Sequence, residues 1–473
     1  MLSLFTGYLA FGTTYALDLP KWTKGIETDI AEWFWQPRVC GELASPYDAA
    51  GWIHVPNVTE NPKYCYHACT WPNRPMVGYG RPVEGSFSIK YESLDIWFWL
   101  FTARRNSATA PLVIIFREGE PGVPTTQKVF DVTGPCKFGK VPGSPSLNHL
   151  SYNQEVNMLY VDGPSPVGLS RGFSPGSSIH DAQMFEWEFL QKFLETFPEY
   201  KGREMALWTF DFGAHHAINM AMVIHEQNKD IRDGFINGTL INLTSLGLVS
   251  PLLNLPIQQT GAVSFLRSNR HRSVIDNDTH DDLMRQLEFH RPAWEECAVN
   301  WTKPCRRELI DFRLMFRDLT FGYPPDPCRH RKPGDTLDPN RHLPSEIHAK
   351  PCKERRESFD PWDVRLARGE RPRQLAYMAP DGARILTNYL NRKEVKDVLG
   401  GKKREFYDPF DHRVFRSMLE HQEILRSSLD VLGQVVRTGL RVLIVGGDCG
   451  KFFSISYIIT NMYSDNQPFY RCR

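Results

Sequence analysis

Residues 205–216 constrain the fold most, because they predict a strand, a sharp turn and a helix in immediate succession. The first half, Met205–Phe210, alternates apolar residues in the manner of a strand. Phe212-Gly213-Ala214 then allows a sharp turn, and the apolar run 217–224 predicts a helix. A strand joined to a helix through so short a turn is a building unit of α/β sheets.

The same stretch carries a candidate catalytic position. One large class of hydrolases holds its nucleophile on such a turn, in the pattern small-x-nucleophile-x-small, since only small neighbours let the strained turn approach the helix. Here the pattern reads Thr209-Phe210-Asp211-Phe212-Gly213, so Asp211 stands where a serine is expected. The sequence thus predicts the geometry of a nucleophile-bearing turn together with an altered nucleophile.

The rest of the chain predicts strands that alternate with helices. The predicted strands are 95–103, 111–116, 156–161, 243–249 and 440–445, and the predicted helices are 179–197, 384–399 and 415–436. We expect residues 86–91 to pair antiparallel with 95–103, and residues 17–81 to form an irregular approach tied by disulfides. This order predicts an α/β fold with a mostly parallel central sheet.

Changes in composition divide the chain into four regions. Residues 1–16 are mostly apolar or small and predict a signal peptide cleaved after Ala16, with a buried first strand as the alternative. Residues 17–255 are the first part of the core. Residues 256–380, rich in Arg, His, Asp and Pro, predict a cap region inserted on top of the sheet, and residues 381–473 are the second part of the core.

The overall balance of residues limits the class of partner. Hydrophobic residues make up 41% of the chain and charged residues 23%, which predicts a packed core. The formal net charge of +1 gives no reason to expect nucleic acid or a membrane surface as a partner. No run after the signal approaches the roughly 18 apolar residues of a membrane span. We expect no cofactor, and the oligomeric state stays open.

Two further features favour the secretory pathway. Ten cysteines suit an oxidising compartment, and we expect Cys297 to pair with Cys305 and Cys328 with Cys352. The partners of Cys40, Cys65, Cys69 and Cys136 stay open. Five sequons predict N-glycosylation, and their acceptors are Asn57, Asn237, Asn242, Asn277 and Asn300.

A metal site in the cap is an alternative use of some of these residues. Cys328, His330, His342, His348 and Cys352 fall within 25 residues. Their spacing fits no compact zinc pattern, and an oxidising compartment favours disulfides. We therefore expect no metal.

Several separate stretches resemble the serine carboxypeptidases of the α/β-hydrolase fold. Residues 95–104 with 111–122 resemble "W-F-F-E-S-R … P-L-x-L-W-L-N-G-G-P-G", and residues 133–136 resemble "N-G-P-C". Residues 151–170 are similar to "S-W-N-x-x-x-N-x-L-Y-x-D-Q-P-x-x-x-G-F-S", residues 197–200 match "F-P-E-Y", and residues 389–399 resemble "Y-L-N-x-P-E-V-x-x-A-L". Because the stretches keep the family's order, the resemblance implies an α/β-hydrolase fold.

The resemblance also implies an acyl-transfer site, from which this chain departs. The family's "G-E-S-Y-A-G" aligns with residues 209–214. Asp211 replaces the serine, Phe210 replaces a glutamate that grips the substrate's C-terminal carboxyl group, and Phe212 takes the tyrosine position. In "G-D-x-D" the orienting aspartate corresponds to Gly450. The family's later histidine has no counterpart before the last residue, so we expect the C-terminal end of the fold to be truncated.

The substrate-binding turn departs in the same way. The family's "N-G-G-P-G" aligns with Glu118-Gly119-Glu120-Pro121-Gly122. In the family the asparagine also binds the substrate carboxylate, and the second glycine supplies an amide of the oxyanion hole. Glu118 is predicted to repel that carboxylate, and Glu120 to crowd a turn that favours glycine.

The signal peptide, the sequons and the cysteines predict a secreted or vacuolar/lysosomal glycoprotein. The departures from the family's motifs predict a degenerate catalytic site in a protein that is non-catalytic and binds a peptide or protein. The alternative is a hydrolase with residual or altered activity, carboxypeptidase-like or an esterase with Asp211 as nucleophile. Such a nucleophile needs a base to release the ester. His215 and His216 are the nearby candidates, although histidines at such positions more often cap or pack a helix.

Overall fold

The computed structural model describes the central part of the chain and several flanking segments. The described residues are 32–35, 49–55, 94–117, 119, 121–130, 133–138, 145–163, 167–170, 179–268, 273, 275–299, 305, 380–398, 407, 409–411, 413–415, 418 and 423–446.

One sheet of eight strands lies at the centre, in the order β1-β2-β3-β7-β4-β8-β9-β10. The strands are β1 Glu32–Trp35, β2 Ala49–Val55, β3 Leu94–Phe101, β4 Leu112–Ile115, β7 Asn157–Val161, β8 Met205–Phe210, β9 Leu243–Val249 and β10 Arg441–Val445. The pairs from β1 to β7 are antiparallel, and those from β7 to β10 are parallel. Strands β5 Cys136–Phe138 and β6 Pro145–Leu147 pair separately. The predicted α/β fold with a mostly parallel sheet is confirmed.

The described α-helices connect and cover these strands. They are α1 Thr126–Val129, α2 Ile179–Thr196, α3 Gly213–Arg232, α4 Leu255–Arg267, α5 Asn277–Val299, α6 Pro380–Leu390, α7 Lys393–Val398 and α8 Leu429–Arg437. Single turns of 3₁₀ helix occupy Tyr152–Gln154 and Pro198–Tyr200.

The sheet is buried on both faces because its middle strands are apolar throughout. Every residue of β4 and β7 is buried, as their continuous apolar runs predict. On one face, Phe98 of β3 packs against the rings of Phe189 and Phe193 on α2. On the other face, Trp99 stacks on Phe101 within a cluster that includes α6. Helices α2, α3 and α8 thus cover one face, and α6 covers the other.

Helices α4 and α5 form a third cluster next to the end of β8. Their apolar residues pack with Phe212, which immediately follows Asp211. Within this region Cys297 and Cys305 form the predicted disulfide. Cys328 and Cys352 lie outside the described residues, and the predicted boundaries of the cap, 256–380, stay a prediction.

Two predictions about local structure are wrong. Residues 423–428 form a turn and bends instead of helix, and α8 begins only at Leu429. Tertiary bonds explain this difference, since Ser428 donates its N–H to Leu253 O at 2.8 Å. Strands β1 and β2 lie in the region expected to be irregular, and β2 pairs along its whole length with β3. The predicted strand 86–91 lies outside the described residues.

Gly247 provides a test of how closely β8 and β9 pack. It stands opposite Trp208, and a Cβ atom at position 247 would overlap the indole ring. We expect Gly247→Ala to lower the free energy of unfolding by about 1–3 kcal/mol, because the ring must shift in a packed layer. Urea unfolding measures this change.

Gly433 in α8 is the matched control. A Cβ atom there would meet only Arg437 Nη1 at 3.5 Å, an ordinary contact. We expect Gly433→Ala to be neutral or stabilising by up to about 1 kcal/mol, since alanine favours the helix. Equal losses in the two variants would contradict the packing described for Gly247.

Candidate functional site

Asp211 occupies the predicted sharp turn between β8 and α3, which we call the elbow. Its φ is 52°, in the left-handed region that strains most side chains but that aspartate tolerates. Its N–H donates to Val249 O at 3.1 Å, and its carbonyl accepts from the N–H groups of Ala214 at 3.1 Å and Leu252 at 3.0 Å. These bonds hold a half-buried aspartate at the carboxyl ends of the parallel strands, where α/β proteins bind ligands.

Gly213 allows the elbow to approach the sheet. A Cβ atom at this position would overlap Thr209 Oγ1 and would lie 2.8 Å from the carbonyl oxygen of Arg117. Thr209 Oγ1 donates to the same carbonyl at 3.0 Å, which joins the end of β8 to the segment after β4. Glycine is therefore required at position 213 for steric reasons.

The turn after β4 lies beside the elbow. Gly119 has a φ of 60°, and its N–H donates to Phe210 O at 3.3 Å. Gly122 has a φ of 95°, and its carbonyl accepts from Asp411 N–H at 2.9 Å. Both glycines have a positive φ, which is unfavourable for residues with a side chain. The turn therefore has glycine at the positions where its backbone conformation favours it.

Three of the altered positions lie outside the described residues. Glu118 and Glu120 flank Gly119, and Gly450 follows β10. Their predicted effects on carboxylate binding, on the oxyanion turn and on the orienting aspartate stay predictions.

The two aromatic residues beside Asp211 have different surroundings. Phe210 is half-buried, and Lys128 Nζ lies 4.8 Å from the centroid of its ring in a cation–π contact. Phe212 is buried and packs with α4 and α5. Lys128 had no sequence signal, because it belongs to the four-residue helix α1 and to none of the motifs.

His215 and His216, the candidate bases, both point into the interior. Each is only 1% exposed. His215 Nδ1 lies 2.5 Å from Ser428 Oγ, and its ring packs on Phe212 with centroids 5.0 Å apart. His216 Nε2 contacts the carboxylate of Glu186 on α2. Both side chains therefore join α3 to its neighbours.

A buried charge cluster lies beneath the elbow, formed by Arg117, Glu186, His216, Glu423 and Arg426. His216 Nε2 contacts one carboxylate oxygen of Glu186, Oε2. Arg117 Nε lies 3.8 Å from the other oxygen, Oε1. Glu423 pairs with Arg426 Nη1 at 3.2 Å. Two arginines and two glutamates balance each other, which limits the cost of burying the charges.

Burial dominates the protonation of this cluster. It lowers the pKa of His216 below its usual 6.5, while Glu186 and Glu423 offset part of that effect. Burial also lowers the pKa of Arg117, again opposed by Glu186 and Glu423. Because its pKa is lowered, His216 is neutral, and its Nε2–H donates to the Glu186 carboxylate.

The cluster supports the elbow, and the cavity that it lines among the described residues is small. The cavity among Arg117, Thr209, Gly213 and His216 is about 10 Å³, about the size of one water. Sequence reasoning missed the cluster, although one signal was available. Glu186 stands three and seven residues before Phe189 and Phe193, which places a charge on the apolar face of α2.

Neither a metal site nor a membrane span is found in the part of the chain that the structure describes. No group of three or more His, Cys, Asp or Glu residues there can hold a metal ion. None of the helices in that part combines the length and hydrophobicity that crossing a membrane requires. The five cysteines and histidines considered as metal ligands lie outside the described residues.

Comparison with known proteins agrees with the elbow geometry. The family model described as serine carboxypeptidase matches residues 83–466. The chain belongs to the serine carboxypeptidase family. It is 34% identical to carboxypeptidase S1 of Penicillium janthinellum over 359 residues, covering 75% of this chain and 74% of that protein. It is 24% identical to serine carboxypeptidase-like 38 of Arabidopsis thaliana over 75% of this chain and 64% of that protein.

A solved structure supports the same fold. The prohormone-processing carboxypeptidase Kex1 of Saccharomyces cerevisiae aligns with 87% of this chain and 75% of its own, with a TM-score of 0.57 and 16% identity. This likeness concerns the fold alone. This family member has a strand-turn-helix unit formed by β8, the elbow and α3, with Asp211 at the tip of the turn.

The neutral, buried His216 predicts a pH-dependent stability. The unfolded chain takes up a proton at position 216 with a pKa of about 6.5, whereas the folded chain does so only at lower pH. Stability is therefore fully present above about pH 6.5 and falls as the pH drops toward the folded-state pKa. We expect His216→Gln, which keeps a donor for Glu186, to reduce this loss by about 1–2 kcal/mol. Urea unfolding at pH 5 and pH 7 measures it.

His225→Gln is the matched control, since His225 is exposed on the same helix. It should keep the pH dependence of the original protein. If the two glutamine variants lose stability equally between pH 7 and pH 5, the assignment of the acid-sensitive proton to His216 is wrong.

Proposed function

We propose that this protein is a non-catalytic member of the serine carboxypeptidase family that binds a peptide or protein at the elbow. The single observation that carries the proposal is Asp211 at the tip of the elbow. The side chain there lacks the serine hydroxyl that accepts the acyl group of the substrate. His215 and His216 are both engaged beneath the elbow, with Ser428 and Glu186. The retained frame favours binding, since ligands of α/β sheets meet this edge.

We also propose that the protein is secreted or resides in a vacuole or lysosome. The Cys297–Cys305 disulfide supports an oxidising compartment. The sequon residues Asn237, Asn242 and Asn277 are exposed, as glycan acceptors must be in a folded protein. The apolar residues 1–16 support entry into the pathway.

Hydrolysis of a blocked dipeptide with a free C-terminal carboxylate tests the non-catalytic assignment. We expect no release of the terminal residue between about pH 4 and pH 8, because a serine nucleophile is absent from the elbow. Carboxypeptidase S1 assayed in parallel is the positive control. Release that disappears in Asp211→Ala would overturn the assignment, whereas release that persists in that variant would indicate a contaminating peptidase.

Binding of matched peptides tests the ligand. Glu118 stands where the family binds the substrate carboxylate, and its charge should repel that group. We expect a C-terminally amidated peptide to bind more tightly than the same peptide with a free carboxylate. Glu118→Asn should reduce this preference by about threefold to tenfold, the effect of about 1 kcal/mol. Isothermal titration measures both constants, and an unchanged preference would contradict this role for Glu118.

A second candidate function is hydrolysis through Asp211 as a covalent nucleophile. The observation that favours it is that the elbow presents a carboxylate with nucleophile-bearing geometry. Turnover of an activated ester in heavy-oxygen water distinguishes the two functions. Attack of the Asp211 carboxylate on the acyl carbon expels the alcohol and forms a mixed anhydride, and water that attacks the aspartyl carbonyl of this anhydride releases the acid and leaves heavy oxygen in the Asp211 carboxylate. Label in the peptide that contains Asp211 would establish this mechanism. Unlabelled Asp211 together with no turnover of the ester above that of Asp211→Ala supports the binding function.

A further inference from the structure

We propose that Asn237 carries an N-linked glycan and that this glycan shields the apolar side chains of Phe235 and Leu240. Asn237 begins the sequon Asn237-Gly238-Thr239, in the connection between α3 and β9. This site is separate from the elbow and does not depend on whether the elbow is catalytic.

Two amide side chains hold this connection in one conformation. Gln191 on α2 accepts from Thr239 N–H at 2.7 Å and donates to Thr239 O at 3.1 Å. Asn228 on α3 does the same for Ile241, with distances of 2.9 and 2.7 Å. Each amide side chain thus satisfies both the N–H and the carbonyl of one loop residue, as the neighbouring strand does in a β-sheet.

The fixed loop turns the acceptor outward. At Gly238 the backbone lies so close to the helices that a Cβ atom would be 2.9 Å from Ile231 Cδ1 and 3.1 Å from Gln191 Oε1. Asn237, one residue earlier, is exposed. A glycan on Asn237 Nδ2 would therefore project into solvent while the main-chain bonds of Thr239 and Ile241 stay intact.

The side chains of the other exposed sequon asparagines form hydrogen bonds within the fold. Asn242 Nδ2 donates to Gly202 O at 3.1 Å, and its sequon continues into β9, where Thr244 Oγ1 donates to Met205 O. Asn277 Oδ1 accepts from Arg267 Nε at 2.5 Å at the start of α5. Among the described sequons, the side chain of Asn237 is the one with no such bond.

The residues around Asn237 give the glycan a physical role. Phe235 is 68% exposed and Leu240 is 45% exposed, so two large apolar side chains face water within the same connection. Large apolar side chains left in water favour association with other apolar surfaces. Asn237 lies between the two in the sequence, so a bulky hydrophilic glycan on it would shield both without contributing an apolar contact.

The modification needs a lipid-linked oligosaccharide diphosphate as donor and the transferase of the secretory pathway. The amide nitrogen of Asn237 forms a bond to the anomeric carbon of the first sugar. The bond from that carbon to the diphosphate oxygen breaks, the lipid diphosphate leaves, and the amide loses one proton. Nothing is oxidised or reduced in this transfer.

Peptide mapping of the full-length protein secreted by eukaryotic cells tests the site. Enzymatic deglycosylation in heavy-oxygen water converts a glycosylated asparagine to labelled aspartate. We expect label at Asn237, and its loss in Asn237→Gln and Thr239→Ala but not in Thr239→Ser, which keeps the sequon. Thr239→Ala keeps every main-chain bond of the loop, so it remains informative if Asn237→Gln fails to fold. Unlabelled Asn237 in secreted protein, whether or not other sequons are labelled, would overturn the proposal.

Binding of an apolar fluorescent dye tests the shielding. We expect deglycosylation to increase dye fluorescence at least twofold in the original protein, and by less in Phe235→Ser. Asn277→Gln is the control, and deglycosylation should increase its fluorescence as in the original protein. An equal increase in Phe235→Ser and in the original protein would show that the shielded surface does not include Phe235, which would overturn the proposed shielding. Intracellular, unlabelled protein would contradict the proposed secretion, and an active elbow would leave this inference unaffected.

Discussion

The structure depends on the close approach at the elbow, where the end of β8, the segment after β4 and the start of α3 meet within van der Waals distance. Gly213 makes this approach sterically possible, and the bond from Thr209 Oγ1 to Arg117 O fixes it. Asp211 accepts a left-handed conformation at this point. Strained residues persist only where the surrounding structure holds them, and here three main-chain bonds do so.

The charges beneath the elbow explain how α3 is anchored. His216 faces Glu186 on α2 and His215 faces Ser428 before α8, so adjacent residues of one helical turn join different neighbours. Removing one member of such a cluster leaves an uncompensated buried charge, which costs more than the pair contributes when intact. The same residues that suggested a catalytic base therefore serve the packing of the helix in this protein.

Fold and chemistry separate clearly in this family member. The serine carboxypeptidase match and the sheet order establish the frame, and the frame includes the turn that would hold a nucleophile. The fold does not determine the function, which depends on the side chains at the site. Asp211 at the tip of the turn, with Phe210 beside it, is the departure on which the proposed binding function rests.

The sequence by itself determined the α/β class, most strand positions, the elbow and the Cys297–Cys305 pair. Each of these depends on residues close together in the sequence, so local periodicity or spacing predicts it. Strand β9 was predicted at its observed bounds, Leu243–Val249. Only the tertiary structure decided that β2 pairs with β3, that α8 begins at Leu429 and that Arg117, Glu186 and His216 meet. These features involve residues that are distant in the sequence. They are stabilised by burial and by contacts with those distant residues, which no local sequence pattern indicates.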